Sequence, residues 1–227
     1  MNATLLLRLA APLQSWGYDS KFERRTTGRE PTKSGAIGMV AAALGRGRDD
    51  SIDDLAALKF GVRIDQPGQM LRDFHTAEHK PKAPPYVTLR FYLMDAVFLA
   101  GFEGDAKFLE VLEAAINSPV FPLFLGRRSC PPEGRMVLGI REKHLQAALS
   151  EESWQAGEWY QKLAKEGERR LTLVLDGDDG GDMLRRDVPV SFSQKHRRYS
   201  YRYINDKAGA VTINVNKVTR HDAFEQI

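Results

Sequence analysis

An α+β domain is predicted by the order in which apolar segments follow one another. Residues 4–10 are apolar at nearly every position, as in a strand buried on both faces. Residues 59–102 alternate over long runs around a proline-rich centre and read as one extended β-hairpin. Two helical segments, one within 26–45 and one over 105–117, separate these strands from a short strand at 135–141. Strand, helix, strand, strand, helix, strand is the split βαβ, ferredoxin-like order, which RNA-recognition modules share with many unrelated proteins. At 227 residues the chain makes one large domain or two small ones. The pattern changes after 142, which divides the chain into a ferredoxin-like domain, 1–142, and a helical and mostly β C-terminal part, 143–227.

The stretch 26–45 organises the first half. Ala36, Ile37, Val40, Ala41 and Leu44 fall on one helical face. Thr32 and Ser34 are natural N-caps and Gly45 a natural stop. Small residues let this helix lie close to whatever it covers, and Arg24, Arg25, Arg29 and Lys33 stand around its N-terminus, where free N–H groups and the helix dipole favour phosphate. A P-loop is disfavoured, because Thr32 occupies the place of the second glycine and no apolar strand runs directly into the turn. Against the phosphate reading stands a capped helix with a wet basic rim.

The remaining elements follow in order. The first strand ends at Ala11-Pro12, and residues 13–17 form a loop carrying Gln14 and Trp16. Phe60, Val62 and Ile64 alternate on one strand, residues 70–76 continue it after a Pro-Gly break, and residues 86–102 return. Between them, 78–85 holds three prolines and is irregular. Asp105 caps the second helix, and Asn117-Ser118-Pro119 ends it. Residues 121–132 form a loop containing Arg127, Arg128 and Cys130. In the last third, 144–149 and 154–166 read as helices, and 170–176, 187–192, 199–204 and 210–215 as short strands. The acidic turn 176–182 lacks the closing glutamate of a calcium loop.

Net charge is only +3, so any anion site must be a local cluster. A hydrophobic content of 42% suffices for a core. A single cysteine excludes a disulfide framework and a multi-cysteine zinc site, and fits a reducing cytoplasm. Neither a signal peptide nor a transmembrane span is expected, nor a metal or other cofactor. The segment 193–202 has five basic side chains, no acid and two interleaved tyrosines. That mixture suits a phosphate backbone with stacked bases; the competing reading is an edge strand guarded by cations.

Five segments carry a resemblance in register from about residue 4 to 203. They are Leu-Arg-Leu-Ala-Ala-Pro-Leu-Gln-Ser-Trp-Gly at 7–17, Pro-Thr-Lys-Ser-Gly-Ala-Ile-Gly at 31–38, Leu-Arg-Asp-Phe-His-Thr at 71–76, Phe-Leu-Gly-Arg-Arg-Ser-Cys-Pro at 124–131, and 192–201. Together they resemble the Cascade D-subunit family, the "Cas-five" subunit of type I-E CRISPR surveillance complexes. The resemblance implies an RNA-recognition-like domain whose hairpin, about 59–102, extends into a thumb. It implies a non-catalytic protein that caps the 5′ handle of the CRISPR RNA and contacts the large subunit and the backbone filament subunit, meeting target DNA only through the complex.

Within that frame Arg29, Lys33, Ser34 and Gly35 are expected to hold handle phosphates, with Arg24 and Arg25 beside them. Gln14 and Trp16 would read or stack a base. Arg72 and His75 flank the hairpin, Lys80, Lys82 and Tyr86 its tip, and Arg127 and Arg128 present guanidinium forks suited to phosphate. Lys195, His196, Arg197, Arg198 and Tyr199 form the late basic cluster. The alternative is a metal-independent ribonuclease that processes repeat RNA, for which His75, His79, Lys80 and Tyr86 could supply the base, acid and cation. They are near one another in sequence only. A pure protein scaffold would leave the basic clusters unexplained.

Overall fold

A computed structural model describes residues 2–17, 24–77, 85–177 and 181–215, except for the side chains of 77, 208 and 209. Lys80, Lys82, the rest of 78–84, residues 178–180 of the acidic turn and the chain after 215 lie outside the described residues. The elements are β1 (Asn2–Gln14), β2 (Arg24–Arg25), α1 (Lys33–Ala43), α2 (Asp53–Ala56), β3 (Lys59–Gln66), β4 (Gln69–Ala77), β5 (Tyr86–Asp105), α3 (Ala106–Asn117), β6 (Val137–Arg141), α4 (Leu145–Glu151), α5 (Glu158–Leu163), β7 (Gly167–Asp176), β8 (Met183–Ser191) and β9 (Arg198–Val215). The fold is mixed α/β, built on one nine-stranded sheet in the order β6-β1-β5-β3-β7-β9-β8, with β2 and β4 paired to β5 off that path. All pairings are antiparallel except β2 with β5.

Both faces of the central strands are covered, which explains why β1 is apolar throughout. Leu5, Leu7 and Leu9 join Phe60, Val62, Phe98 and Phe102 in a core shared with Ile37 and Val40 of α1 and Leu109 and Leu112 of α3. Leu6 and Leu99 point the other way, against Leu145 and Leu149 of α4 and Leu171, Leu173 and Leu175 of β7. On that second side lies a buried ion pair. Arg63 is fully enclosed and grips Asp65 at 2.7 and 2.9 Å. Its remaining donors reach the carbonyls of Leu149, Glu152 and Ser153 at 2.6–2.7 Å, while Asp65 accepts from the Gln155 N–H at 2.6 Å. The clamp ends α4 and sets the path of the chain beyond it. For this reason the helix expected over 154–166 shrinks to α5, and β7 begins at Gly167, ahead of the expected 170.

The last third continues the same sheet, because β7 pairs with β3. The two short strands expected at 199–204 and 210–215 are one strand, β9, whose first half pairs with β8 and whose second half pairs mainly with β7. This ribbon is tied to the first helix by a charge network. Thr32 caps α1 by accepting from the Gly35 N–H at 3.2 Å. The Lys33 N–H donates to Asp187 Oδ2 at 2.9 Å, and Arg202 forks onto both oxygens of Asp187 at 2.7 and 2.9 Å. Asp176 then accepts from Lys33 Nζ at 3.0 Å, from the Phe60 N–H at 2.9 Å, and from Arg202. Arg185 and Glu30 pair at 2.6 Å beside it.

Burial alone would push the Asp187 carboxyl up; the Arg202 fork and the Lys33 N–H outweigh it and hold the group below the ordinary carboxylate range. A depressed folded pKa means that the stabilisation is complete above the unfolded value of about 3.9 and is lost as pH falls through the folded one. Replacing Asp187 with Ala takes the fork from the largely buried Arg202 side chain and the acceptor from the Lys33 N–H, and should cost about 3–5 kcal/mol in urea unfolding. Asp187→Asn should flatten the loss of stability below about pH 4 relative to wild type. An equally steep acid limb in the Asn variant would show that Asp187 is not its source.

Candidate nucleic-acid interface

The geometry of the candidate site comes from the shortness of β3. That strand stops at Gln66, whose side-chain amide donates to the Asp95 carbonyl at 2.6 Å. Asp95 sits at φ 56°, a left-handed conformation, and Gly68 turns the chain opposite it at φ 69°. Beyond this bend β4 and β5 continue as a two-stranded arm, with β2 on the other edge of β5. On the far side, residues 167–171 of β7 also outrun β3 and pair only with β9. The two ribbons leave the same end of the sheet with an open notch of about 510 Å³ between them. Arg29, Arg169 and Arg170 line it, together with Met70, Leu93 and Thr172.

One face of the arm continues this surface. Met70, Arg72 and Phe74 lie across from Leu93, Phe91 and Leu89. Phe74 is 67% exposed, and the Arg24 guanidinium lies 5.3 Å over the Phe91 ring. Arg169 is held by Trp154 and Tyr160, whose rings it covers at 5.2 and 4.8 Å, and it donates to the Tyr160 hydroxyl. Exposed aromatic faces beside guanidinium groups suit unstacked bases and their phosphates.

Several expected site residues are used elsewhere. Gln14 and Trp16 are buried. The Gln14 amide donates to the carbonyls of Leu9 and Ala96 at 3.2 and 2.7 Å, and its oxygen accepts from Trp16 Nε1 at 2.9 Å. The Trp16 ring lies on the first turn of α1, where a Cβ on Gly35 would come within 2.9 Å of it; Gly35 makes room for packing, and neither ring face is open to a base. Lys33 is buried against Asp176, and Asp187 occupies the anion-binding end of α1. The phosphate seat expected there is filled by the protein's own carboxylate.

Arg127 braces the base of the arm. It lies 4.6 Å over the Tyr92 ring and donates to the Arg25 carbonyl at 2.8 Å. Burial works to raise the Tyr92 phenol, but Arg127, Ser129 and Arg90 around its oxygen bring it below the usual tyrosine range. Gly126 beside it admits no side chain, since a Cβ would lie 1.7 Å from the Ser15 carbonyl oxygen. Cys130 is buried, and burial pushes its thiol up, away from reactivity. Arg24, Arg25, Arg29, Arg72 and Arg128 are exposed and Ser34 is half-buried. On the opposite face of the arm His75 Nε2 meets Asp73 Oδ2 at 3.1 Å; His75 pairs across with Thr88, and Tyr86 lies on the same face two residues away. Lys195, His196, Arg197 and Arg198 are exposed at the start of β9, far from the notch. Sequence reasoning missed Arg169, Arg170, Met70, Phe74 and Phe91. The only available signal was the Arg-Arg pair at the start of the strand expected over 170–176.

The family model described as CRISPR-associated protein (Cas_Cas5) matches residues 4–205, nearly the whole described fold. The chain belongs to the Cas5 family. Over 160 residues it is 36% identical to the CRISPR system Cascade subunit CasD of Escherichia coli (strain K12), covering 61% of this chain and 71% of that protein. A solved structure described as a crystal structure of Cas protein matches with a TM-score of 0.72 at 37% identity, covering 91% of this chain and 94% of the other. A chain of a CRISPR RNA-guided surveillance complex matches with a TM-score of 0.76 at 34% identity, covering 93% and 92%. In this Cas5 chain no group of three or more potential metal ligands occurs among the described residues, and no helix there is long and apolar enough to cross a membrane.

Replacing Arg29 and Arg170 together with Ala should weaken binding of a handle-bearing RNA. It should also lower the slope of log affinity against log salt by about 1.4, at roughly 0.7 for each phosphate released from its counterions. Lys33→Ala should leave that slope unchanged while lowering the melting temperature. The reverse pattern in a salt titration would return the phosphate site to α1.

Proposed function

We propose that this Cas5 chain is a non-catalytic component of Cascade that caps the 5′ handle of the CRISPR RNA in the notch and along the aromatic face of the arm. The observation that carries this reading is the arginine-lined gap between two ribbons, found in a chain that matches a CRISPR RNA-guided surveillance complex over nearly its full length. The strand order β6-β1-β5-β3, with α1 and α3 on one face, supports a ferredoxin-like, RNA-recognition-like core. The β4–β5 arm takes the part of a thumb, reaching over the guide toward the backbone filament subunit, with the large subunit seated on the same assembly. Target DNA is met through the complex.

Loss of the tip tests this role. Replacing residues 78–85 with Asn-Gly should leave the melting temperature within a few degrees of wild type, because loop tips tolerate such changes. It should reduce both assembly with the filament subunit and nuclease protection of the handle. Full assembly with a protected handle would remove the thumb from the reading.

A second reading rests on Asp73, His75 and Tyr86, which share one face of the arm and together could act on a 2′-hydroxyl. Purified protein incubated with labelled repeat RNA without metal should give no discrete cut. A single cut abolished by His75→Ala would instead make the chain a processing ribonuclease.

A further inference from the structure

The β8–β9 ribbon carries a surface that the handle reading does not use. Its inner face holds Asp187, Arg202 and Ile204 against the rest of the fold. Its outer face carries Tyr199, Tyr201 and Tyr203, alternate residues on one strand, with Tyr201 59% and Tyr203 36% exposed. Leu184, across from Tyr203, is exposed beside them, and the Arg186 guanidinium lies 6.0 Å from the Tyr201 ring centroid. Lys195, His196, Arg197 and Arg198 crowd the end next to Tyr199, and none of the four has an ion-pair partner among the described residues. Asp182, exposed in the acidic turn, bounds the other end.

We infer that this face is a second nucleic-acid site, a stacking platform for a single strand, separate from the notch. Tyrosines at alternate strand positions stand about 7 Å apart, a spacing that unstacked bases can follow with an extended backbone. The cations at one end supply phosphate contacts, and stacking needs no particular base sequence. Among the described residues no carboxylate forms an ion pair with Arg186 or the basic turn, and a phosphate backbone supplies the anions that these cations lack. The separation is fixed by β9 itself. Val211, which pairs with Leu171 at the notch, lies eight residues beyond Tyr203, or about 25 Å along the strand.

The test uses the whole chain and fluorescence anisotropy with labelled oligo-dT, oligo-U and a duplex of matched length. Single strands should bind more tightly than the duplex, and the DNA and RNA arms identify which strand the face prefers. Tyr201→Ala and Tyr203→Ala should each weaken single-strand binding by about tenfold, while Tyr201→Phe stays within about twofold of wild type. Changing Lys195, Arg197 and Arg198 to Gln should lower the salt slope by about 2. The Arg29→Ala/Arg170→Ala variant should keep its oligonucleotide binding at this face; if it loses it, there is one site and the inference falls. If that variant instead binds handle RNA as wild type does, the handle reading alone fails. Alanine variants that bind both oligonucleotides normally would overturn the platform, and their exclusion from the assembled complex would reassign the face to a protein partner.

Discussion

A buried carboxylate at the start of a helix holds the two halves of this protein together. Asp187 comes from β8, late in the chain, yet it accepts the first N–H of α1 and both arms of the Arg202 fork. Asp176 completes the set by bridging Lys33, Arg202 and the Phe60 N–H. Each charge is partnered, which is what makes burial tolerable. Remove any one and the C-terminal ribbon loses its seat on the first half of the fold. The helix end that most invites an external anion is therefore satisfied internally.

That internal use shifts recognition to the rim of the sheet. Because β3 ends at Gln66 while its neighbours run on, β4–β5 and β7–β9 separate there and leave strand edges, guanidinium groups and aromatic rings facing an open gap. The rigid part of the site is the clamp below it. Arg63 and Asp65 fix the segment that leads to Trp154 and Tyr160, and those two rings hold Arg169. A buried ion pair thus orients an exposed cation through two aromatic side chains.

Much of the fold is legible in the sequence because periodicity reports burial. The largely apolar first strand, the alternation of Phe60, Val62 and Ile64, and the Asp105 cap of α3 appear as read, although β1 runs on to Gln14, into the expected loop. Boundaries in the last third were not legible, because α5 and β7 are set by Arg63, about ninety residues away, and local pattern holds no trace of that contact. The site was half legible. Basic residues could be counted, but charge type does not reveal whether a partner waits across the fold: Lys33 has Asp176, while Arg29 faces the notch. Gln14 and Trp16 looked like loop residues with chemistry to offer, and they are instead each other's hydrogen-bond partners inside the core.

The place of β1 in the sheet has a further consequence during synthesis. This strand leaves the ribosome before the strands that flank it, and it is apolar on both faces. Its neighbours come much later: Leu5 pairs with Phe102 of β5 and with Ile140 of β6. At translation rates of about 5–20 residues per second, that leaves the strand without either neighbour for roughly 5–20 s. For that interval the element on which both cores are assembled is an unpaired, aggregation-prone hydrophobic edge on the nascent chain. A strand enclosed on both faces in the finished fold is a vulnerable one while the chain is being made.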